Sequence, residues 1–319
     1  MGLMIEGVYH ADDPGPDTTL NGVFQRAEST IRNRITADGS TPFGPAAGRY
    51  HLYAAWNCPW AHRAALMRII KGLEDTISVS YARPRRTREG WVFDPQGPFS
   101  DPYLNVTALH QVYARMPAPY TGRITVPLLW DKATDSAVSN ESADIVRMLN
   151  DAFPGPDLAP VALRDRIDSW NARIYAEVNN GVYRAGFART QDAYDDAVTQ
   201  LFATLDDIDA HLATHRYLCG DTFTEADLRL FPTLARFDVA YHYAFKCNIR
   251  RLMDYTHLWP YAREIYQMPG VAGTVAFDIY KTGYFSPSEL RNPLGIVPAG
   301  PIVDWDTPHG RNPAKDTPG

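Results

Sequence analysis

An α/β domain followed by an all-α domain is the fold class that this 319-residue sequence predicts. Three observations carry the prediction. Before Phe153-Pro154-Gly155-Pro156, runs of β-formers alternate with helical periods; after it only helical periods remain. The chain is also longer than one typical domain, so two cores are expected.

The elements follow in order. Residues 1–35, with Asp12, Asp13 and Asp17 among scattered polar residues, form an N-terminal extension. They lack the basic start and apolar centre of a secretory signal. Arg49-Tyr50-His51-Leu52-Tyr53-Ala54-Ala55-Trp56 reads as a strand, and Ala64, Ala65, Leu66, Ile69 and Ile70 recur at helical spacing until Gly72. Thr76 to Tyr81 is a second strand, which completes a β-α-β unit. The stretch from Arg83 to Gly122, full of Pro, Gly and aromatics, is too long for a simple connection, so it is expected to be functional or locally structured. Its basic run, Arg83, Arg85, Arg86 and Arg88, reads as a solvated turn.

Ile124 to Asp131 is the next strand, and Pro127 inside it marks an edge or an irregularity. Ser139-Asn140-Glu141-Ser142 precedes Ala143, Ile145, Val146, Met148 and Leu149, which predicts a helix starting near Asn140. The first domain is therefore assigned to residues 36–152. The second, at 160–282, holds helices over Leu163 to Asn179, Tyr194 to Ala213, Ala226 to Ala244 and Leu258 to Tyr266. Thr222 with Glu225 reads as a capping pair for the third of these. Residues 283–319, rich in Pro and Gly, form an extended tail.

Composition narrows the function. Thirty-one basic against 37 acidic residues give a net charge of −6 with no basic stripe, which argues against a nucleic-acid partner. No apolar run reaches the ~18 residues that a membrane span needs. Cys58, Cys219 and Cys247 are widely spaced, giving neither a disulfide framework nor a zinc-ligand pattern; no metal is expected, and the expected compartment is the reducing cytoplasm. Cys219 and Cys247 lie in apolar stretches read as helical, where they are expected to pack.

Cys58 is different because it stands where the strand ends and the helix begins. Pro59 suits the first turn of a helix, so Cys58 falls beside N–H groups that have no intrahelical partner. At such a position a cysteine pKa drops from ~8.5 to between about 3.5 and 7.5, and the thiolate is the nucleophile. Ala61 stands where a Cys-x-x-Cys pair would have its second cysteine, so a mixed disulfide on Cys58 requires an external thiol for release. His62 and Arg63, which follow it into the helix, read as residues that pack or pair structurally, with support of the thiolate as the alternative.

The chain resembles a known family. Gly48-Arg49-Tyr50-His51-Leu52-Tyr53, Cys58-Pro59-Trp60-Ala61-His62-Arg63, Thr125-Val126-Pro127-Leu128-Leu129-Trp130-Asp131, Asn180-Gly181-Val182-Tyr183-Arg184-Ala185-Gly186-Phe187-Ala188, Phe245-Lys246-Cys247-Asn248 and Asn292-Pro293-Leu294-Gly295-Ile296-Val297-Pro298 are similar to runs of the Xi-class glutathione transferases, the glutathionyl-hydroquinone reductases. The resemblance extends between residues 36 and 301. It implies an N-terminal thioredoxin-like domain and a C-terminal helical domain of glutathione transferase type, assembled as a homodimer. It also implies removal of glutathione from small, quinone-derived aromatic thioethers: the cysteine attacks the thioether sulfur, and a second glutathione resolves the resulting disulfide.

By the same resemblance Tyr183 is the acid that protonates the departing aromatic carbon, and Tyr241 and Tyr284 support the thiolate of Cys58. Glutathione is expected along Arg123, Ile124, Thr125 and Val126, with Arg123 near its carboxylates and the Val126-Pro127 step a cis-proline step that offers backbone groups. Glu141 and Ser142 are expected to take its γ-glutamyl end and Trp91 to pack on it. The alternative for Glu141 and Ser142 is simple helix capping, and for Trp91 an anchor of the long connection. Gly283-Tyr284-Phe285 and Pro287-Ser288 depart from the family's usual His-Tyr-Tyr and Ser-His.

The residues leave some readings open. A broader thioltransferase or a dehalogenase would use the same Cys58, and a non-catalytic binder of aromatic ligands would not use it at all. Mycothiol or another small thiol remains an alternative to glutathione, since Ala- and Asp-rich helices and a Pro-rich tail suit a GC-rich genome. A conjugating transferase more often carries Ser or Tyr at this position, because a cysteine there would itself be captured as a disulfide.

Overall fold

The computed structural model describes residues 2–13, 15 and 17–311. The chain divides into two compact units. The first takes Met1–Asp17, Ala27–Pro156 and Asp278–Gly283; the second takes Thr18–Arg26, Asp157–Phe277 and Tyr284–Gly319. The stretch read from sequence as one extension, 1–35, is thereby shared between them.

In the first unit, strand Tyr50–Ala55 runs parallel to Ile77–Ala82, as a β-α-β unit requires. On its other side it pairs antiparallel with Leu128–Asp131, which pairs antiparallel with Ser136–Ser139. Helices Pro59–Ile70 and Ser142–Ala152 pack on each other. All six residues of Tyr50–Ala55 are buried, so both sheet faces are covered. Alternation along the strand explains how. The Tyr50 ring meets Phe153, just past helix Ser142–Ala152, at 6.2 Å between centroids. His51 and Tyr53 meet Tyr103 and Phe93 of the long connection at 5.3 and 6.0 Å.

That connection is therefore structural lining, held by one buried carboxylate. Asp101 accepts the N–H groups of Tyr103, Leu104 and Val106 at 3.2, 3.2 and 3.4 Å and the Ser80 hydroxyl at 3.0 Å. Backbone groups that no strand satisfies thus find a partner. His51, bonded to Ser78 and Ser80 at 2.7 and 2.9 Å, is pushed down to about 4 by its burial and stays neutral. The basic run is exposed along bends and turns, as its reading as a solvated turn expects, and its arginines also pair at the surface. Arg83 pairs with Asp94 at 2.6 Å, Arg88 pairs with Asp12, and Arg86 lies 5.3 Å from the Trp91 ring.

The expected strand from Ile124 to Asp131 is shorter, because the Val126-Pro127 peptide is cis and regular pairing begins only at Leu128. Arg123 belongs instead to a separate two-residue strand, Gly122–Arg123, paired with Leu3–Ile5, whose other edge carries Val8–His10. The helix expected near Asn140 starts at Ser142, since Glu141 supplies the cap.

The second unit is helical. Helix Arg164–Ile174 continues into a π turn at Tyr175–Asn179 and is followed by helices Gly181–Gly186, Gln191–Leu212 and Glu225–Leu234. Another π turn, Phe237–Tyr241, leads into His242–Ala244, and Leu258–Tyr266 follows. Val198, Leu201, Phe202, Leu205, Ile208 and Leu212 line the buried face of the longest helix at three- and four-residue steps.

The expected Thr222–Glu225 capping pair is displaced by two residues. Thr224 is the cap, with its N–H and hydroxyl 2.8 and 2.9 Å from Asp227, while buried Glu225 pairs with Arg229 at 2.5 Å. Cys219 and Cys247 are buried, as packing residues should be, but neither lies in a helix. The tail begins later than its sequence reading, since helix Phe277–Tyr284 runs past residue 282. It is also anchored, because buried Trp305 packs against Trp259, Tyr266 and Phe277 at 4.7, 5.3 and 5.5 Å. Residues 312–319 of the expected tail lie outside the described residues. Among the described residues, no helix is long and apolar enough to cross a membrane. No group of three or more His, Cys, Asp or Glu among them is placed to hold a metal ion.

Candidate active site

The residues singled out from sequence fall into two groups, one in each unit. In the first unit Cys58 caps helix Pro59–Ile70 with extended backbone, φ −83° and ψ 117°, and its Sγ accepts the Ala61 N–H at 3.4 Å. A sulfur held by a helix N-terminal N–H is in the setting that favours thiolate. Cys58 is partly exposed. Its thiol donates to the Val126 carbonyl at 3.5 Å, so the nucleophile lies against the cis Val126-Pro127 step.

Two buried groups hold the extended segment before that step. The Tyr113 hydroxyl donates to the Thr125 carbonyl at 2.9 Å, and burial pushes this phenol up to about 12, so it keeps its proton. The Asn140 amide donates to Thr125 Oγ1 and Tyr113 Oη, both at 3.4 Å. Neither Tyr113 nor Asn140 was picked from sequence, since a residue that acts on a distant backbone leaves no local pattern. Ile124 is buried beside them.

Glu141 caps helix Ser142–Ala152, its carboxylate accepting the Ala143 N–H at 3.0 Å. The capping alternative thus describes its contact within the chain, and the same carboxylate and helix start remain suited to an ammonium and a carboxylate. Ser142 Oγ lies 3.5 Å from both Glu141 Oε1 and Arg63 Nη1. Arg63, read as packing, is buried with its guanidinium 4.5 Å from the Trp60 ring. Trp91 is buried in the long connection, where its carbonyl accepts the Leu109 N–H at 2.9 Å.

The second unit brings together the three tyrosines. Tyr183 Oη and Tyr241 Oη each lie 2.9 Å from Tyr284 Oη, so the Tyr284 hydroxyl bridges the other two. Tyr183 stands in the short helix Gly181–Gly186, directly after the π turn Tyr175–Asn179. The glycine at 186 has a packing role: a Cβ there would sit 2.2 Å from Phe245 Cγ. The Phe245 ring lies 5.3 Å from both Tyr183 and Tyr241 and 5.6 Å from Tyr284, so it fills the space among the phenols.

Burial, with the neighbouring phenols adding to it, pushes Tyr241 and Tyr284 well above the ordinary tyrosine value. Both therefore keep their protons, and a Tyr183 that has given up its own can accept from Tyr284, which in turn accepts from Tyr241. A π turn precedes Tyr183 and another ends at Tyr241. Such turns shift the side chains that follow to a new face of the helix and recur at functional sites. No sequence period reveals them.

Burial pushes the Cys219 and Cys247 thiols up, which leaves Cys58 as the cysteine in a setting for nucleophilic chemistry.

Comparison with known proteins agrees along the chain. The family model described as glutathione S-transferase, N-terminal domain, matches residues 57–152, and that described as glutathione S-transferase, C-terminal domain, matches 191–264. The chain is 47% identical over 326 residues to glutathionyl-hydroquinone reductase YqjG of Escherichia coli (strain K12), covering 98% of this chain and 99% of that protein. It is 45% identical to glutathionyl-hydroquinone reductase PcpF of Sphingobium chlorophenolicum, over 94% and 96% of the two. A solved Xi-class glutathione transferase from Natrialba magadii superposes with a TM-score of 0.88 at 41% identity, covering 97% of this chain and 96% of that one. The glutathione-bound structure of YqjG gives 0.87 at 44%, covering 97% and 99%.

Proposed function

This chain belongs to the Xi class of the glutathione transferases, and on that premise we propose that it is a glutathionyl-hydroquinone reductase. The observation that carries the reading is Cys58 Sγ at a helix start, accepting the Ala61 N–H. A sulfur nucleophile there removes glutathione; it does not add it.

Glutathione is the co-substrate. The Cys58 thiolate attacks the sulfur of the aryl thioether, forming an S–S bond as the C–S bond breaks with its electron pair going to the aromatic carbon. Tyr183 gives that carbon a proton, and the hydroquinone leaves. A second glutathione thiolate then attacks the Cys58 disulfide, which releases glutathione disulfide and restores the thiolate. The aryl carbon is reduced, the thioether sulfur and one glutathione thiol are oxidised to the disulfide, and the proton of that glutathione replaces the one Tyr183 gave.

Tyr284 and Tyr241 stabilise the Tyr183 phenolate through the two 2.9 Å contacts. Their role is thus nearer to the acid than the thiolate-supporting one that the resemblance implied. Glutathione lies along Arg123, Ile124, Thr125 and Val126, its γ-glutamyl end on Glu141 and Ser142 and its flank on Trp91. What supports this is the helix start at Glu141 and the segment at Thr125 held by Tyr113 and Asn140. The proposal extends to a homodimer in the cytoplasm, the first by resemblance and the second from the three widely spaced cysteines.

The test is turnover of a glutathionyl-hydroquinone with excess glutathione, beside the mycothiol conjugate with mycothiol, using wild type and Cys58→Ser. The expected result is hydroquinone release with glutathione, reduced at least about 10³-fold in Cys58→Ser, as loss of a nucleophile does. Release from neither conjugate by folded wild type would move the reading to a binding role.

A further inference from the structure

We propose that Arg26, in a segment whose sequence pattern carries no functional signal, is the positioning residue for the acid Tyr183. Its guanidinium holds the phenol in place and stabilises the phenolate left after proton transfer. The inference rests on the reductase reading for the use of that acid, though not for its physical basis.

A small hairpin puts Arg26 in place. Strands Thr19–Leu20 and Val23–Phe24 pair antiparallel around Asn21-Gly22, both with positive φ, the two-residue turn that such a sequence favours. The hairpin is docked on the chain just past Tyr183. The Gly22 carbonyl accepts the Arg189 N–H at 2.9 Å, and a Cβ at Gly22 would lie 2.5 Å from Thr190 Oγ1. Phe24 stacks on Phe187 at 5.2 Å, with the rings 29° apart.

Two residues after Phe24, Arg26 lies with its guanidinium carbon 4.6 Å from the centroid of the Tyr183 ring and 5.4 Å from that of Phe24. Its Nε donates to Asn180 Oδ1 at 2.9 Å, which fixes the planar group against the helix that carries Tyr183. A guanidinium over a phenol face is attracted by the ring and more strongly by the ring's anion. Arg26 is therefore suited to lower the cost of losing the Tyr183 proton. Lysine retains the charge but not the planar stack.

Other titratable or charged groups reach the cluster from its remaining sides. The Tyr284 hydroxyl faces Tyr183, and the Tyr241 hydroxyl lies behind it. Buried Arg236 acts on both of those tyrosines. Arg291 lies 4.3 Å from the Phe187 ring, and Arg184, on the helix of Tyr183, bonds Gln200 at 2.7 Å. Arg26 lies on the Tyr183 ring itself.

Two readouts on the full chain test this. The first is the ionisation of Tyr183, followed by carbon-13 NMR of ring-labelled tyrosine and assigned by its loss in Tyr183→Phe. Arg26→Gln should weaken that ionisation about tenfold and Arg26→Lys by less, in a protein whose other tyrosine signals show it folded. An unchanged titration in Arg26→Gln overturns the proposal. The second is turnover of the glutathionyl-hydroquinone. Arg26→Gln should lower kcat about tenfold with KM little changed, should move the alkaline limb of the pH profile upward, and should cost nothing further in a Tyr183→Phe background. An equal loss in both backgrounds would mean that Arg26 acts elsewhere. Should wild type release no hydroquinone while the titration shift persists, the reductase reading falls and the Arg26–Tyr183 coupling stands.

Discussion

The thiol of Cys58 is presented by its own next turn of helix, whereas the three phenol oxygens in the other unit come from positions 101 and 43 residues apart. The first arrangement needs only a strand end, a proline and a helix. The second needs two π turns, a glycine at 186 that admits Phe245, and the last turn of helix Phe277–Tyr284. Chemistry drawn from a local backbone feature travels with a short motif. Chemistry drawn from tertiary packing depends on every element that contributes a side chain to it.

The largest effect expected from this contrast is in cysteine reactivity. Iodoacetamide below pH 7 should label Cys58 about a thousandfold faster than Cys219 or Cys247 in folded protein, because the helix start favours the thiolate of the first while burial holds the others as thiols. Mass mapping of the labelled peptides measures it. Equal rates for the three would erase the distinction.

The next effect concerns the tyrosine cluster. Tyr183→Phe should lower kcat about 10²-fold, the ordinary cost of losing a general acid, and leave Cys58 labelling unchanged. Tyr284→Phe should lower it about tenfold, and the double variant should be no worse than Tyr183→Phe alone, since the bridging hydroxyl acts through Tyr183. Additive losses, measured by steady-state turnover, would mean that the phenols act separately.

The same contrast decides what is legible in the sequence. The β-α-β unit, the helix start at Cys58 and the helical second half are readable because each rests on periodicity or on a junction between periods. The strand around Pro127 is overextended in the sequence reading because a cis peptide has no periodic signature. The capping pair falls two residues early because Thr222 and Thr224 both precede a suitable carboxylate, and Glu225 is engaged by Arg229 while Asp227 takes the N–H and hydroxyl of Thr224. Tyr183, Tyr241 and Tyr284 are named by resemblance alone; no spacing rule joins them, and only the fold brings their oxygens together. Arg26 escapes a sequence reading although Asn21-Gly22 signals a hairpin, because nothing local says where a hairpin docks.

The central claim is that Cys58 takes the glutathionyl group from the conjugate. A single turnover tests it most directly: protein mixed with one equivalent of glutathionyl-hydroquinone and no other thiol, quenched in acid and analysed by intact and peptide mass. The account predicts one glutathionyl group in disulfide linkage on Cys58 and one equivalent of hydroquinone released, with the disulfide removed once glutathione is added. Intact conjugate beside unmodified Cys58, in protein whose Cys58 alkylates rapidly, would contradict it.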